Sequence, residues 1–291
     1  RVGRSNRSGR AITFPTFRAL SVRSSRILLN ANFKNGEMSK RVIYDFGANN
    51  GDDVAYYLLK AEKVVAVEAN PSLANRIRER FSGPLADGRL FVENCVLSAE
   101  PTASAVPFHV HKHNHVLSQF PPPPQNQLPQ FERVLLASRN VTELIRAHGD
   151  PHYIKIDLEH YDQVILRELF ASGIFPPYIS AESHSIDVFA LMVALGNYGS
   201  FKLVDGKNIP IKYSNVKIDS TSGVSDYSFP AHSAGPFGED IAGPWMTKDN
   251  FFRLLSFAGL GWKDIHASRV DDPDPGYAPR PQFSVQLKID F

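Results

Sequence analysis

From residue 42 to about residue 205, short apolar runs alternate with stretches in which apolar residues recur every three or four positions. Val42-Ile43-Tyr44-Asp45-Phe46 is apolar except for one acid and gives way to Gly47-Ala48-Asn49-Asn50-Gly51. A run of that length before a turn predicts a strand buried on both faces. Beyond it, Val54, Tyr57, Leu58 and Ala61 keep helical spacing. Lys63 to Glu68 predicts a second strand. Asn70-Pro71 predicts a helix start, with an amide cap and then proline where a missing N–H costs nothing. Leu73, Ile77 and Phe81 line one face of that helix, and Leu90 to Asn94 predicts a third strand.

After residue 133 the rhythm resumes. Asn140 with Glu143 predicts a capping box, and Gly149 ends the helix they start. His152 to Asp157 predicts a strand, and Tyr161 to Ala171 a helix stopped near Gly173. Pro177 to Glu182 follows as a strand. Ser185 caps a helix carrying Val188, Leu191, Met192 and Leu195, and Phe201 to Asp205 is a further strand. Strands alternating with helices imply right-handed crossovers and a mostly parallel sheet. Two regions depart from this. In residues 104–133, Val106 to Val116 is expected to be extended and Pro121 to Pro124 to form a stiff loop. Residues 207–282 are rich in Gly, Pro and aromatics and are expected to be a loop-rich elaboration on the substrate side. Phe283 to Phe291 alternates, which predicts a final antiparallel strand at or near the sheet edge. The core is therefore expected to comprise residues 38–206 and 283–291.

Composition adds limits. The chain has 291 residues, 43% hydrophobic and 21% charged, which is ordinary for a globular protein with a sizeable core. A single cysteine, Cys95, excludes an internal disulfide and a cysteine-based zinc site. Residues 1–37 hold seven arginines and Lys34 against Glu37 alone, while the rest carries 29 acids against 24 bases. The basic balance thus belongs to the head, and nucleic-acid binding is not inferred from it. The head is expected to be disordered. It is either an organelle transit peptide or, the favoured reading, non-native sequence upstream of Met38. A cytoplasmic location follows from the second reading, an organellar one from the first. No run approaches the roughly 20 apolar residues of a bilayer span.

The candidate chemistry lies at strand ends, where open α/β sheets bind ligands. Gly47 and Gly51 permit a tight turn, and Asp45 is placed to take a ligand's ammonium group. The spacing is Gly-x-x-x-Gly, not the Gly-x-Gly-x-x-Gly of dinucleotide binders. Asp52 and Asp53 at the following helix start would repel a pyrophosphate. Glu68, 23 residues after Asp45, is placed to accept both hydroxyls of a ribose, and Asn94 to meet an adenine edge. Together these predict a nucleoside-type ligand with a cationic group.

Asp45-Phe46-Gly47-Ala48-Asn49-Asn50-Gly51 resembles the nucleotide-loop motif of FkbM-type S-adenosylmethionine (SAM) methyltransferases. Val67-Glu68-Ala69-Asn70-Pro71 is similar to that family's second motif. Asn140-Val141-Thr142-Glu143-Leu144 with Tyr153-Ile154-Lys155-Ile156-Asp157-Leu158-Glu159 resembles its Lys-Ile-Asp-Val-Glu-Gly region. His160 stands where that family usually has Gly. The resemblance covers residues 42–205. It implies a Rossmann-like class I methyltransferase sheet and a SAM site formed by Asp45, Gly47, Ala48, Asn49, Asn50, Gly51, Glu68, Ala69, Asn94 and Asp157. It also implies O-methylation of a small-molecule or glycan hydroxyl.

Methyl transfer asks the protein to align the acceptor and remove its proton. Lys155, Asp157 and Glu159 alternate at one strand end and so share a face. Asp157 and Glu159 are candidates for contact with the methionine end or the acceptor. His160 and His184 are candidate bases, since an imidazole titrating near 6.5 suits neutral pH. Two metal readings are weaker. His109, His111, His113 and His115 would share a strand face. Asp157, Glu159 and Glu182 could hold Mg²⁺. No metal ligand is assigned. Two rival readings remain, a non-catalytic SAM-binding scaffold and an NAD-dependent oxidoreductase.

Overall fold

A computed structural model describes residues 41–277 and Pro279. The basic head and the strand expected over 283–291 lie outside the described residues. The chain runs β1 (Val42–Phe46), α1 (Val54–Lys60), β2 (Lys63–Val67), α2 (Pro71–Arg80), the short α3 (Ser82–Ala86) and β3 (Leu90–Glu93). Next come β4 (Val96–Ser98), β5 (Ala103–His111), β6 (Phe131–Asn140) and α4 (Val141–His148). β7 (Pro151–Ile156), α5 (Asp162–Ala171), β8 (Tyr178–Ser183), α6 (Ile186–Ala194) and β9 (Ser200–Asp205) complete the alternating part. The remainder holds α7 (Ile209–Lys212), a hairpin of β10 (Val216–Ser220) and β11 (Gly223–Tyr227), then β12 (Met246–Thr247), α8 (Lys248–Ala258) and β13 (Gly261–Ser268).

The main sheet has the order β12-β9-β13-β8-β7-β1-β2-β3. β1 pairs in parallel with β2 and β7, β2 with β3, and β7 with β8. β12 is the antiparallel edge strand on β9. β13 is antiparallel to both β8 and β9 and lies between them. It is an interior strand, drawn from the 207–282 segment expected to be an elaboration, so Met246–Thr247 and Gly261–Ser268 belong to the sheet. Its hydropathy conceals it. Lys263, Asp264 and His266 interrupt an apolar pattern carried by Trp262, Ile265 and Ala267.

Alternate strand residues feed two cores, as the two-residue side-chain period requires. Tyr44, Phe46, Val65, Ile154 and Ile156 pack with α4, α5, α6 and α8. Ile43, Val64, Ala66 and Tyr153 pack on the other face with α1, Ile77 of α2, and Phe237. Among the described residues no helix is long and apolar enough to cross a membrane.

The expected caps form with one change. Asn70 accepts from Ser72 N at 3.0 Å, and Ser185 from Asp187 N at 3.1 Å. Asn140 accepts from Thr142 N and Glu143 N at 2.9 and 3.2 Å. The reciprocal half of its capping box is relayed. Glu143 accepts from the Thr102 hydroxyl, which itself accepts from Asn140 N at 3.1 Å. The Asn140 amide also donates to Ala99 O at 2.9 Å, tying the β4–β5 turn to the helix. Asn140→Ala is therefore expected to cost about 1–2 kcal/mol in urea unfolding, a cap together with a tertiary bond. A loss below about 0.3 kcal/mol would show that other contacts hold this start.

β4, β6 and β5 form a separate three-stranded sheet beside the main one. β5 stops at His111, and His115 opens a short 3-10 turn through Leu117. The extended run expected to reach Val116 is thus broken, and the four histidines do not share one strand face. His111 Nδ1 instead accepts from the backbone N–H groups of His113 and Asn114 at 3.2 and 3.0 Å.

Candidate cofactor and acceptor site

From β1 the chain builds outward to β2 and β3, then returns to β7 on the other side of β1. The crevice at the carboxyl ends of β1 and β7 is therefore the topological switch point, where such sheets bind ligands. Gly47 opens the turn after β1 at φ +85, and a Cβ built there would lie 1.9 Å from the carbonyl oxygen of Asp157. Only glycine lets the turn rest on the end of β7. The amides of this turn are largely engaged. Gly47 N and Ala48 N donate to Val67 O, and Gly51 N to Ala48 O. Asn49 N goes to Glu68 Oε2 and Asp52 N to Asn50 Oδ1. Few N–H groups are left to cradle a phosphate, and α1 begins only after Asp52 and Asp53.

Beneath the turn lies a buried charge pair. Lys155 Nζ stands 3.5 Å from Asp45 Oδ1, 3.3 Å from Asp157 Oδ2 and 3.3 Å from Gly47 O. Asp45 is fully buried and neither of its oxygens has an aligned hydrogen bond among the described residues. Burial pushes its carboxyl up to about 6, with Lys155 opposing. The surrounding acids hold Lys155 well above its ordinary range despite burial. Asp45 lines neither cavity of the site, so it acts on a ligand only through Lys155.

Above the switch point is a cavity of about 660 Å³, within the size range of small-molecule sites. One end is suited to a nucleoside. Glu68 accepts from Asn49 N and Asn70 N, both at 2.7 Å, which fixes the carboxylate and leaves lone pairs on both oxygens. Burial pushes it up to about 7, so hydroxyl donors from a ligand would favour its charged form. Leu73, Val96 and Leu97 supply an apolar wall. Asn94, expected at an adenine edge, donates instead to Glu68 O and Ala69 O at 2.8 and 2.9 Å. It holds the turn that carries Glu68 and Ala69, and the wall after β3 begins at Cys95. Burial pushes the Cys95 thiol up to about 12, which keeps it a neutral packing group. Asn49 and Asn50 line the cavity, and Ala48 lines a smaller chamber beside it. Gly51 faces away, against Ile77 and Phe81.

The other end gathers Asp157, Glu159, Glu182 and His184, with Trp262 and His232 at the rim. His184 Nε2 lies 2.8 Å from Glu182 and 3.9 Å from Glu159. The shorter contact is an ion pair whose direction departs from an aligned hydrogen bond. Glu182 above all pushes the imidazole up to about 9. His184 is therefore charged at neutral pH, which corrects the expectation of a neutral base titrating near 6.5. Burial, then Asp157 and Glu182, push Glu159 up to about 8. Burial raises Glu182 also. Glu182 entered the sequence reading only as a possible Mg²⁺ ligand, and His232 was not singled out at all; an acid closing β8 was the one available signal.

Glu159 and His160 both adopt left-handed backbone, at φ +46 and +73. The turn geometry explains why glycine suits position 160. His160 is exposed, does not line the cavity, and packs its ring, tilted by 45°, 4.4 Å from that of His184. Burial, then His184, lowers its basicity. His160→Gly is expected to raise stability by up to about 1 kcal/mol in urea unfolding, since relief of a left-handed side chain outweighs glycine's chain entropy. A loss of more than about 0.5 kcal/mol would show that the imidazole contact outweighs the backbone strain.

Among the described residues no group of three or more His, Cys, Asp or Glu is arranged to hold a metal ion. The Mg²⁺ expected on Asp157, Glu159 and Glu182 finds no support, because those carboxylates turn toward Lys155 and His184.

The strand order and the switch-point site make this a Rossmann-like class I methyltransferase fold, with β13 as the antiparallel strand set inside the parallel row. No protein-family model and no curated protein matches the chain. Solved structures similar to it include the methyltransferase FkbM from Methylobacillus flagellatus KT, at 15% identity over 61% of this chain and 43% of that one, with a TM-score of 0.38. Precorrin-6y C5,15-methyltransferase from Geobacter metallireducens GS-15 is 13% identical over 65% and 74%, with a TM-score of 0.34. An O-methyltransferase from Bacillus cereus, in complex with SAH, is 8% identical over 79% and 74%, with a TM-score of 0.34. The chain thus spans less than half of the FkbM structure. Likenesses of this size carry no weight for the reaction, and the fold assignment rests on the strand order.

Proposed function

We propose that the protein is a SAM-dependent methyltransferase acting on a hydroxyl of a small molecule or glycan. The observation that carries this reading is a single cavity that joins the Glu68 carboxylate and its apolar wall to an acid- and imidazole-lined end across the switch point. The residues fit a nucleoside with a cationic group. Glu68 keeps free lone pairs for ribose hydroxyls, and carboxylates rather than bare amides surround the glycine turn. A dinucleotide would need the amides that the turn has already engaged.

SAM, when bound, supplies an electrophilic methyl group on sulfur. The chain's own part is to place the acceptor and take its proton. Imidazolium His184 donates to the acceptor oxygen and holds it at the cavity end. Glu182 accepts the proton: its raised pKa makes it a stronger base than an ordinary carboxylate, and the His184 charge keeps it ionised. Glu159, pushed up to about 8, is mostly protonated at neutral pH and offers a hydroxyl donor at the same end, and the apolar walls exclude water.

Calorimetric titration with S-adenosylhomocysteine and with NAD tests the cofactor. Tight NAD binding with none for the thioether would end the reading. Glu68→Ala is expected to weaken S-adenosylhomocysteine by about 1–3 kcal/mol through lost charged hydrogen bonds. Unchanged affinity would place the nucleoside elsewhere. A radiolabelled methyl-transfer screen against sugars and glycolipids tests catalysis. No transfer to any acceptor, with intact cofactor binding, would favour a non-catalytic scaffold.

A further inference from the structure

Beside the large cavity, and sharing Asn49, Asn50, Asp157, His232 and Trp262 with it, is a chamber of about 40 Å³. That volume takes a group of about water's size and excludes any ring. Four carboxylates line it, Asp52, Asp53, Asp157 and Asp264, against the single cation Lys155. Three of the four are accounted for. Asp52 pairs with Arg80 at 3.0 Å. Asp53 accepts from Ala234 N at 3.0 Å and from the Ser233 hydroxyl. Asp157 pairs with Lys155 at 3.3 Å.

Asp264 is different. It sits in β13 between Glu182 of β8 and Val204 of β9, and is 8% exposed. Among the described residues no hydrogen bond or ion pair reaches its carboxylate, although it lines the chamber. A carboxylate so deeply buried and unpaired costs several kcal/mol unless something completes it. Burial and the nearby Asp157 hold its carboxyl well above the ordinary range, as an unmet demand for positive charge would. A metal ion does not answer that demand, since among the described residues the ligand convergence is missing. A group of the right size with three N–H donors does.

We propose that the chamber is a subsite for a primary ammonium group, with Asp264 as its principal counter-ion. The ammonium has two possible sources, the amino group of the SAM tail or an amino group on the acceptor. The identity of the nucleoside rests on the methyl-transfer reading; the subsite itself does not. If the tail is the source, its carboxylate meets no free lysine or arginine among the described residues lining the chamber, because Lys155 is committed to Asp45 and Asp157 and the turn's amides are mostly engaged. An analogue with an aminopropyl tail and no carboxylate then binds at least as tightly as the full tail.

The test is calorimetry on the full chain, wild type and Asp264→Asn. The probes are S-adenosylhomocysteine, tail-less 5′-methylthioadenosine, and 1,3-diaminopropane with 1,3-propanediol as neutral control. For a donor tail, Asp264→Asn weakens S-adenosylhomocysteine at least about tenfold and leaves methylthioadenosine unchanged. For an acceptor amine, both nucleosides are unaffected, and diaminopropane binding to the nucleoside-loaded protein is lost while the diol never binds. In either case Asp264→Asn raises the melting temperature of the free protein, because folding no longer has to hold a buried, unpaired carboxyl in its protonated form. Should the variant not fold, N-acetyl-S-adenosylhomocysteine on the wild type replaces it for the donor tail, and diaminopropane against propanediol on the loaded wild type for the acceptor amine. The acetylated tail is expected to bind at least about tenfold more weakly. Affinities that do not move with any of these changes overturn the subsite, as does a lower melting temperature with all ligands weakened alike. Failure of both nucleosides to bind the wild type instead removes the methyl-transfer reading. Diaminopropane on the free protein then decides the subsite: binding that Asp264→Asn abolishes supports it, and no binding overturns it.

Discussion

Gly47→Ala is expected to destabilise the protein by more than about 4 kcal/mol and to abolish nucleoside binding. The added methyl would sit 1.9 Å from the Asp157 carbonyl oxygen and 2.9 Å from its carbon, and both are backbone of the neighbouring strand. Neither can yield without parting β1 from β7, where Asp157 N also donates to Phe46 O at 2.9 Å. The residue's φ of +85 adds strain of about 1–2 kcal/mol for any L side chain. Gly51→Ala is the matched control. Its φ is +78, but its Cβ would meet only side-chain atoms of Ile77 and Phe81, at 3.0 and 3.2 Å. Urea unfolding of both variants separates close approach from backbone strain. Equal losses would show that the turn can move off β7.

Lys155→Met is expected to cost about 3–5 kcal/mol, because it strands Asp45 as an uncompensated buried charge. Adding Asp45→Asn should restore most of that loss, since the double variant buries no charge there. The deficit also has a definite pH sign. In the wild type burial pushes folded Asp45 up to about 6, above the ordinary 3.8, and Lys155 is what lowers it. Without the lysine the folded value rises further. Ionised Asp45 then opposes folding, an effect absent below the unfolded value, growing as pH climbs toward the folded one and complete above it. The variant's deficit should therefore shrink as pH falls from 8 toward 4.5, where unfolding curves can measure it. A deficit that is flat with pH, or one that Asp45→Asn fails to restore, would mean that packing rather than charge is lost.

Much of the fold was legible because its strands and helices carry their own signals. Val42–Phe46 and Lys63–Val67 are continuous apolar runs, since a parallel strand covered on both faces has no solvent side. Asn70, Asn140 and Ser185 mark helix starts by local hydrogen bonding that needs no tertiary partner. β13 was not legible, because Asp264 lines the chamber and His266 is buried beside Tyr153, and polar residues at buried positions erase the hydrophobic pattern by which strands are recognised. The histidine run from His109 to His115 misled for a related reason. Alternation along the chain implies one face only while the backbone stays extended, and it turns after His111.

The site divides in the same way. The order of elements, the glycine turn and the acids at the ends of β1, β2 and β7 follow from the sequence alone, because each depends on residues close along the chain. What each acid does was decided by the tertiary structure. Asp45 is sealed beneath Lys155, Asn94 is spent on holding a turn, His184 is charged by Glu182, and Asp264 is brought by β13 from more than 200 residues beyond Asp45. Charge states and free valences depend on burial and on neighbours across strands. Both are properties of the packed sheet rather than of the local chain.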